Sequence, residues 1–329
     1  MAERFLFCIC VLSLACGDDD ATPVVDTGVD AAPTADAAAD AALEDASDAA
    51  ADAPPDEAAD APVAQTLPRT IGGDRPAAVA GPALDPNVPA PVLIVLHGFG
   101  ASGFLQSTYF GAVRAASSRG MITVTPDGIM NPGGQRFWNA TEACCDQAGQ
   151  NPDDVAYIRG LIDELDEAVN IDRGRVYLLG HSNGGFMSYR MACDASDTIT
   201  AIASLAGAGF DDPERCVPER PVSTLQMHGT LDTVIRYEGG DLFGNGYPSA
   251  EESASRMAAL GGCDPETVAG EDFDFVSSVP GDEGRVARFT GCDEGFAAEL
   301  WTLEAAGHIP PLQDGAIDRI LDWLLANER

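Results

Sequence analysis

The chain has 329 residues, 45% of them hydrophobic, and carries 18 Lys and Arg against 53 Asp and Glu, a formal net charge of -35. So acidic a surface repels a phosphate backbone, which argues against nucleic acid as a partner and says little about a neutral substrate. The length allows one α/β domain with a sizeable core and leaves residues over for segments of another kind.

Residues 1–16 hold one Arg, an apolar run from Phe5 to Leu14 and a small residue before Cys16. Spanning a bilayer takes about 20 apolar residues, so this run is read as a secretory signal peptide. Its Leu-Ser-Leu-Ala-Cys ending resembles a bacterial lipoprotein signal, which implies lipidation of Cys16 and contact with a membrane only through that anchor. Ser13 stands where that signal has Leu, and plain removal of the segment is the alternative. The expected location is extracytoplasmic, secreted or lipid-anchored at a bacterial envelope surface. From 17 to 66 the chain is dominated by Ala, Asp and Pro, with no Lys, Arg or aromatic residue. Such a composition offers too little apolar surface to offset the entropy of ordering and predicts an extended, disordered linker. Removing its 14 acidic residues leaves about -21 on the rest, still strongly acidic.

Residues 67–329 are expected to form the catalytic domain. Pro91 precedes Val-Leu-Ile-Val-Leu at 92–96, a buried parallel strand ending at His97-Gly98. A helical stretch through Ala112, Val113 and Ala116 leads to a strand at 121–125. Asp153 or Asp154 can cap a helix whose stripe is Val155, Ile158, Ile162, Leu165 and Val169. Val176 to Leu179 is the next strand, and it runs into Gly180-His181-Ser182-Asn183-Gly184-Gly185, after which Phe186, Met187 and Met191 continue as a helix. Strands follow at 199–205, 222–227 and 299–303, and Ile317, Ile320, Leu321, Leu324 and Leu325 form a closing amphipathic helix. This alternation implies a mostly parallel central sheet covered by helices on both faces.

A G-x-S-x-G match arises by chance in about one chain in ten of this length, so its setting matters. Here it lies between a strand and a helix, the context of a nucleophile elbow, which makes Ser182 the candidate nucleophile. A serine hydroxyl needs a base, and the base a carboxylate. Of the four histidines, His181 reads as local packing, and His97 and His228 as hydrogen-bonded residues in His-Gly turns. His308 follows a late strand in an open loop and is the candidate base. Asp232, just past a strand end, is the favoured acid, with Asp212 and Asp241 left open by spacing. The amides of Phe99 and Asn183 are the candidate oxyanion donors. No metal or organic cofactor is called for. Six cysteines of the domain, Cys144, Cys145, Cys193, Cys216, Cys263 and Cys292, lack zinc spacing and read as disulfide partners in an oxidising compartment. Fifteen pairings are open, with Cys263–Cys292 favoured because both lie in one Gly/Asp-rich insert.

The segments LHGFG at 96–100, RFWNATEACCD at 136–146, DDVAYIRGLID at 153–163, RVYLLGHSNGGFMSYRMAC at 175–193, LQMHGTLD at 225–232 and GH at 307–308 carry a resemblance. Together they resemble the esterase/polyhydroxybutyrate-depolymerase family of α/β-hydrolases, with its LpqC-like, feruloyl and acetylxylan esterase branch. The resemblance implies an α/β-hydrolase fold, Ser182, Asp232 and His308 as a catalytic triad, and hydrolysis of hydroxyalkanoate or of feruloyl and acetyl polysaccharide esters through an acyl-enzyme. It also implies that Trp138 and the double cysteine lie near the pocket, with one of Cys144 and Cys145 bonded to Cys193 or Cys216. Where many members continue Gly-His-x-Trp-Pro, this chain has Ile309-Pro310 and lacks the Trp. The rival expectations are a serine peptidase of the same fold and a non-catalytic, surface-tethered binding lipoprotein.

Overall fold

The computed structural model describes residues 65–329. The expected signal peptide, Cys16 and the linker up to Ala64 lie outside the described residues. Gln65, expected to belong to the linker, instead bridges Leu84 through its backbone and accepts a hydrogen bond from the Asn170 amide on its side chain at 2.9 Å.

In chain order the first half comprises β1 (Thr70–Ile71), β2 (Ala77–Ala80), β3 (Ala90–Leu96), α1 (Gly103–Phe110), α2 (Ala112–Ser117), β4 (Ile122–Thr125), β5 (Ile129–Met130), β6 (Arg136–Phe137), α3 (Asp154–Ala168) and β7 (Ile171–His181). The second half comprises α4 (Asn183–Asp194), β8 (Ala201–Leu205), β9 (Ser223–Gly229), β10 (Gly240–Leu242), β11 (Asn245–Tyr247), α5 (Ala250–Leu260), β12 (Thr267–Ala269), β13 (Gly284–Phe289), β14 (Ala298–Leu303) and α6 (Ala316–Leu325). Ten strands form one sheet in the order β1-β2-β4-β3-β7-β8-β9-β14-β13-β12. From β4 to β14 every pairing is parallel, and both edges close with antiparallel strands.

The parallel strands are buried on both sides, which is why they read as unbroken apolar runs. Alternate side chains of β3 serve two cores. Val92, Ile94 and Leu96 pack with Ile158, Leu161 and Ile162 of α3 and Phe186 and Met187 of α4. Leu93 and Val95 pack with Phe110, with Ala112 and Ala116 of α2, and with Ile320, Leu321 and Leu324 of α6. Helices on both faces leave the carboxyl ends of the strands as the open edge of the sheet, where ligands bind in such folds.

Asp153 caps α3, its carboxylate accepting from the Ala156 amide at 2.9 Å. Asp154 faces inward instead, buried where it pairs with Arg75 at 2.6 Å and accepts from the Asn139 amide at 2.7 Å.

Candidate active site

At the end of β7 the chain turns sharply into α4, and Ser182 sits on the turn with φ 54° and ψ -119°. A non-glycine residue in such a region costs roughly 1–3 kcal/mol and persists only when its surroundings hold it. Its amide donates to the Leu205 carbonyl of β8 at 2.8 Å, and its carbonyl accepts from Phe186 at 3.0 Å. Glycine is required on both sides by close approach. A Cβ on Gly180 would lie 2.1 Å from the Gly184 carbonyl oxygen, and one on Gly184 would lie 2.1 Å from that of Leu96.

Two further loops converge on the Ser182 hydroxyl. After β9 the chain forms a turn in which Asp232 Oδ1 accepts from the amides of Val234 at 2.8 Å and Ile235 at 2.9 Å. After β14 comes the loop that carries His308. The two loops are knitted together, Leu231 N donating to Ala306 O at 2.9 Å and Ala305 N to the Thr230 hydroxyl at 2.9 Å. His308 Nδ1 lies 2.7 Å from Asp232 Oδ2, and its Nε2 lies 2.9 Å from Ser182 Oγ. A carboxylate can only accept, so Nδ1–H donates to Asp232 and the Nε2 lone pair is left for the hydroxyl proton. Burial pushes the Asp232 carboxyl up, but the contacts from His228 and His308 and the Val234 amide outweigh it, holding the acid well below the usual carboxylate range. Asp212 and Asp241 are spent in turns, accepting from the amides of Glu214 at 3.0 Å and Gly244 at 2.8 Å.

The other three histidines have hydrogen-bond partners of their own, and His181, expected to be local packing, reaches across to the His308 loop. His97 donates from Nδ1 to the Gly98 carbonyl and accepts from the Gly128 amide at Nε2, both at 2.8 Å; burial pushes its pKa down to about 4. His181 donates from Nε2 to the His308 carbonyl at 2.9 Å, so it holds the loop that carries His308. Burial and the neighbouring His308 push its pKa down to about 3. His228 is buried between Gln226 and the Ile235 carbonyl.

The loop after β3 is pinned on either side of Phe99. Gly98 N donates to Gln106 Oε1 at 3.1 Å and Gly100 N to the Arg136 carbonyl at 2.8 Å. The Phe99 amide between them donates to no protein acceptor among the described residues. Asn183 is the first residue of α4, where amides have no intrahelical acceptor and the helix dipole favours anionic charge. Its side chain grips the Trp138 backbone, accepting from N at 2.7 Å and donating to O at 3.0 Å.

Trp138, expected near the pocket as a substrate-binding residue, does lie near the site but is 0% exposed, so its ring is not presented to a substrate; its indole N–H donates to the His97 carbonyl at 3.0 Å. It lies beneath the site as a prop between the loop after β3 and the start of α4. The cysteines pair as Cys144–Cys145, Cys193–Cys216 and Cys263–Cys292. The bond expected from one of Cys144 and Cys145 to Cys193 or Cys216 is therefore not formed, since the adjacent pair satisfies itself. Next to Asp232 and His308 in the chain, the apolar side chains of Leu231, Val234 and Ile309 are 50% to 63% exposed. A strand-end position for Asp232 and a loop position for His308 were readable in the sequence. The buried pairing of Asn183 with Trp138 was not, because an amide and a backbone 45 residues apart leave no local pattern.

The profile of the phospholipase/carboxylesterase family matches residues 85–268, more than half of the chain. Feruloyl esterase B of Piromyces equi is 30% identical over 230 residues, 67% of this chain and 39% of that protein. Feruloyl esterase D of Neurospora crassa is 28% identical over 209 residues, 63% of this chain and 60% of that one. The chain thus spans less than two thirds of these curated relatives. Among solved structures, the acetyl xylan esterase from Aspergillus awamori superposes with a TM-score of 0.51 at 13% identity, covering 78% of this chain and 98% of that one, a likeness of fold. With the parallel sheet, the turn at Ser182 and the family match in agreement, the chain belongs to the phospholipase/carboxylesterase family and has the α/β-hydrolase fold.

Proposed function

We propose that the chain is a serine carboxylic-ester hydrolase that works through an acyl-enzyme. The observation that carries this reading is the hydrogen-bonded series from Ser182 Oγ to His308 Nε2 at 2.9 Å and from His308 Nδ1 to Asp232 Oδ2 at 2.7 Å. Ser182 Oγ attacks the ester carbonyl carbon while His308 takes the hydroxyl proton and Asp232 holds the imidazolium. The negative charge on the carbonyl oxygen is met by the amides of Phe99 and Asn183, each worth about 3–4 kcal/mol to the transition state in comparable sites. The tetrahedral adduct collapses with cleavage of the bond to the alcohol, which leaves with the proton from His308. Water then attacks the acyl-enzyme with His308 again as base, releasing the acid and restoring Ser182.

The substrate class we favour is a feruloyl or acetyl ester on a carbohydrate alcohol. Relatives named feruloyl esterases support this choice, as do the exposed Leu231, Val234 and Ile309 beside the triad, which suit an apolar acyl group. The three disulfides support an extracytoplasmic workplace. Kinetics on feruloylated and acetylated oligosaccharides, on hydroxybutyrate oligomers and on short p-nitrophenyl esters test the assignment. The first set should give the highest kcat/KM, and Ser182→Ala should abolish turnover of all. Hydroxybutyrate oligomers turning over fastest would move the substrate class, and full activity of Ser182→Ala would overturn the mechanism.

A further inference from the structure

Behind Asp232 lies a second imidazole. His228 is 1% exposed, and its Nε2 is 2.8 Å from the Ile235 carbonyl and 3.5 Å from Asp232 Oδ2. Its tautomer is set by a chain of groups whose roles are fixed. Gln226 Nε2 lies 2.8 Å from the Gly207 carbonyl, which can only accept, so the amide nitrogen faces that way. Gln226 Oε1 correspondingly accepts from the Tyr189 hydroxyl at 2.9 Å. The second N–H of the same amide points at His228 Nδ1, 3.1 Å away, which must therefore accept. The proton of His228 is thereby placed on Nε2, facing both the Ile235 carbonyl and the Asp232 carboxylate.

We infer that His228 is a positioning residue of the proposed triad: with its proton fixed on Nε2 by Gln226, it backs the Asp232 carboxylate so that Asp232 stays ionised and aimed at His308. The inference rests on the catalytic reading of Ser182, His308 and Asp232. Asp232 has no Arg or Lys partner among the described salt bridges, and its side chain is fully buried. Such a carboxylate depends on the donors around it to stay charged. Those donors are the amides of Val234 and Ile235 on Oδ1 and the two imidazoles on Oδ2. The titratable groups around the pair are His308 and, tilted against it at 5.0 Å between ring centres, His181. From the far side Tyr237 meets His228 edge-on at 5.9 Å, with its hydroxyl on Thr302 and Glu251. Because Tyr189 lies on α4, two turns beyond Ser182, the same chain also ties the nucleophile's helix to the loop of the acid.

The test compares H228L and H228Q with the parent on a soluble p-nitrophenyl ester, with Ser182→Ala as control. Leucine removes both nitrogens, whereas glutamine returns an N–H near the position of imidazole Nε2. In folded H228L, kcat should fall by roughly tenfold or more with KM within about twofold. Its acid limb of log kcat/KM against pH should steepen from a slope near one toward two, as Asp232 begins to titrate alongside the base. The far-downfield proton signal of the His308–Asp232 bond should broaden or vanish. H228Q should recover to within about threefold, with the slope near one and the signal restored. H228L with unchanged kcat and slope overturns the inference, and so does an equal loss in folded H228L and H228Q, which would make the ring mere packing. If H228L does not fold, H228Q alone decides: activity with the parental slope supports the inference, and a folded, inactive H228Q overturns it. Full activity in Ser182→Ala would instead remove the catalytic reading itself, a distinct outcome.

Discussion

Replacing Gly184 by Ala tests whether the turn at Ser182 depends on backbone contact. The added Cβ would lie 2.1 Å from the Leu96 carbonyl oxygen and 2.9 Å from that of His97. Both atoms are backbone at the end of β3, so no side chain can swing aside, and the first turn of α4 must retreat by about 1 Å to reach ordinary contact. Overpacking of this kind costs about 1–3 kcal/mol, which corresponds to a fall in Tm of roughly 3–10 °C for a domain of this size. A shift of that length at the proposed nucleophile, Ser182, is expected to lower kcat about 100-fold. Gly160 provides the contrast, because it lies in α3 with nothing within 4 Å of its Cβ position. Gly160→Ala should leave activity unchanged and raise Tm by about 1–3 °C through helix propensity. Thermal unfolding followed by circular dichroism and hydrolysis of a p-nitrophenyl ester read both variants. Parental Tm and kcat in Gly184→Ala would refute the argument from close approach.

Asp232→Asn should lower kcat by about 10³ to 10⁴ while the protein stays folded, since an amide can no longer hold the His308 tautomer; a loss below tenfold contradicts its role. Stability should fall as pH drops from about 6.5 to 5. His97 and His181 have folded pKa values pushed down to about 4 and about 3, so the unfolded chain binds more protons in that window. Each contributes about 2 kcal/mol over it, and urea midpoints equal at pH 7 and pH 5 would refute the assignment. Asp232, held low, contributes in the same direction only below the ordinary carboxylate pKa, outside this window. The C193S/C216S double variant should lose about 3 kcal/mol and 6–12 °C in Tm from the open 23-residue separation; an unchanged Tm would show that the bond carries no stability.

The central strands were legible because a strand buried on both faces must be apolar throughout, as Val92 to Leu96 and Val176 to Leu179 are. The elements that escaped are those whose buried face is not apolar in the usual sense. Helix α1 buries Gly103, Gln106, Ser107 and Phe110 while Phe104 and Leu105 are 73% and 58% exposed, so its hydrophobic pattern is inverted. Helix α5 buries Ala250, Ser253, Ala254, Met257 and Ala258, a stripe too small to announce itself. Strand β13 buries only Gly284 and Val286 among exposed and half-exposed neighbours at the edge of the sheet. In the site, Ser182, Asp232 and His308 could be ordered because each ends or follows a strand. Trp138 keeps its expected neighbourhood but not its expected contact with substrate, since sequence gives a tryptophan's neighbourhood but not which way its ring faces. The role of Gln226 beside His228 was hidden because a buried Gln looks like any polar residue until its partners are known.

The most direct measurement of the central claim is labelling with a fluorophosphonate, which requires an activated serine, followed by mass spectrometry of the peptides. One label per chain is expected, on Ser182, formed far more slowly in His308→Ala. A label on another serine, or none on the folded protein, would contradict the account.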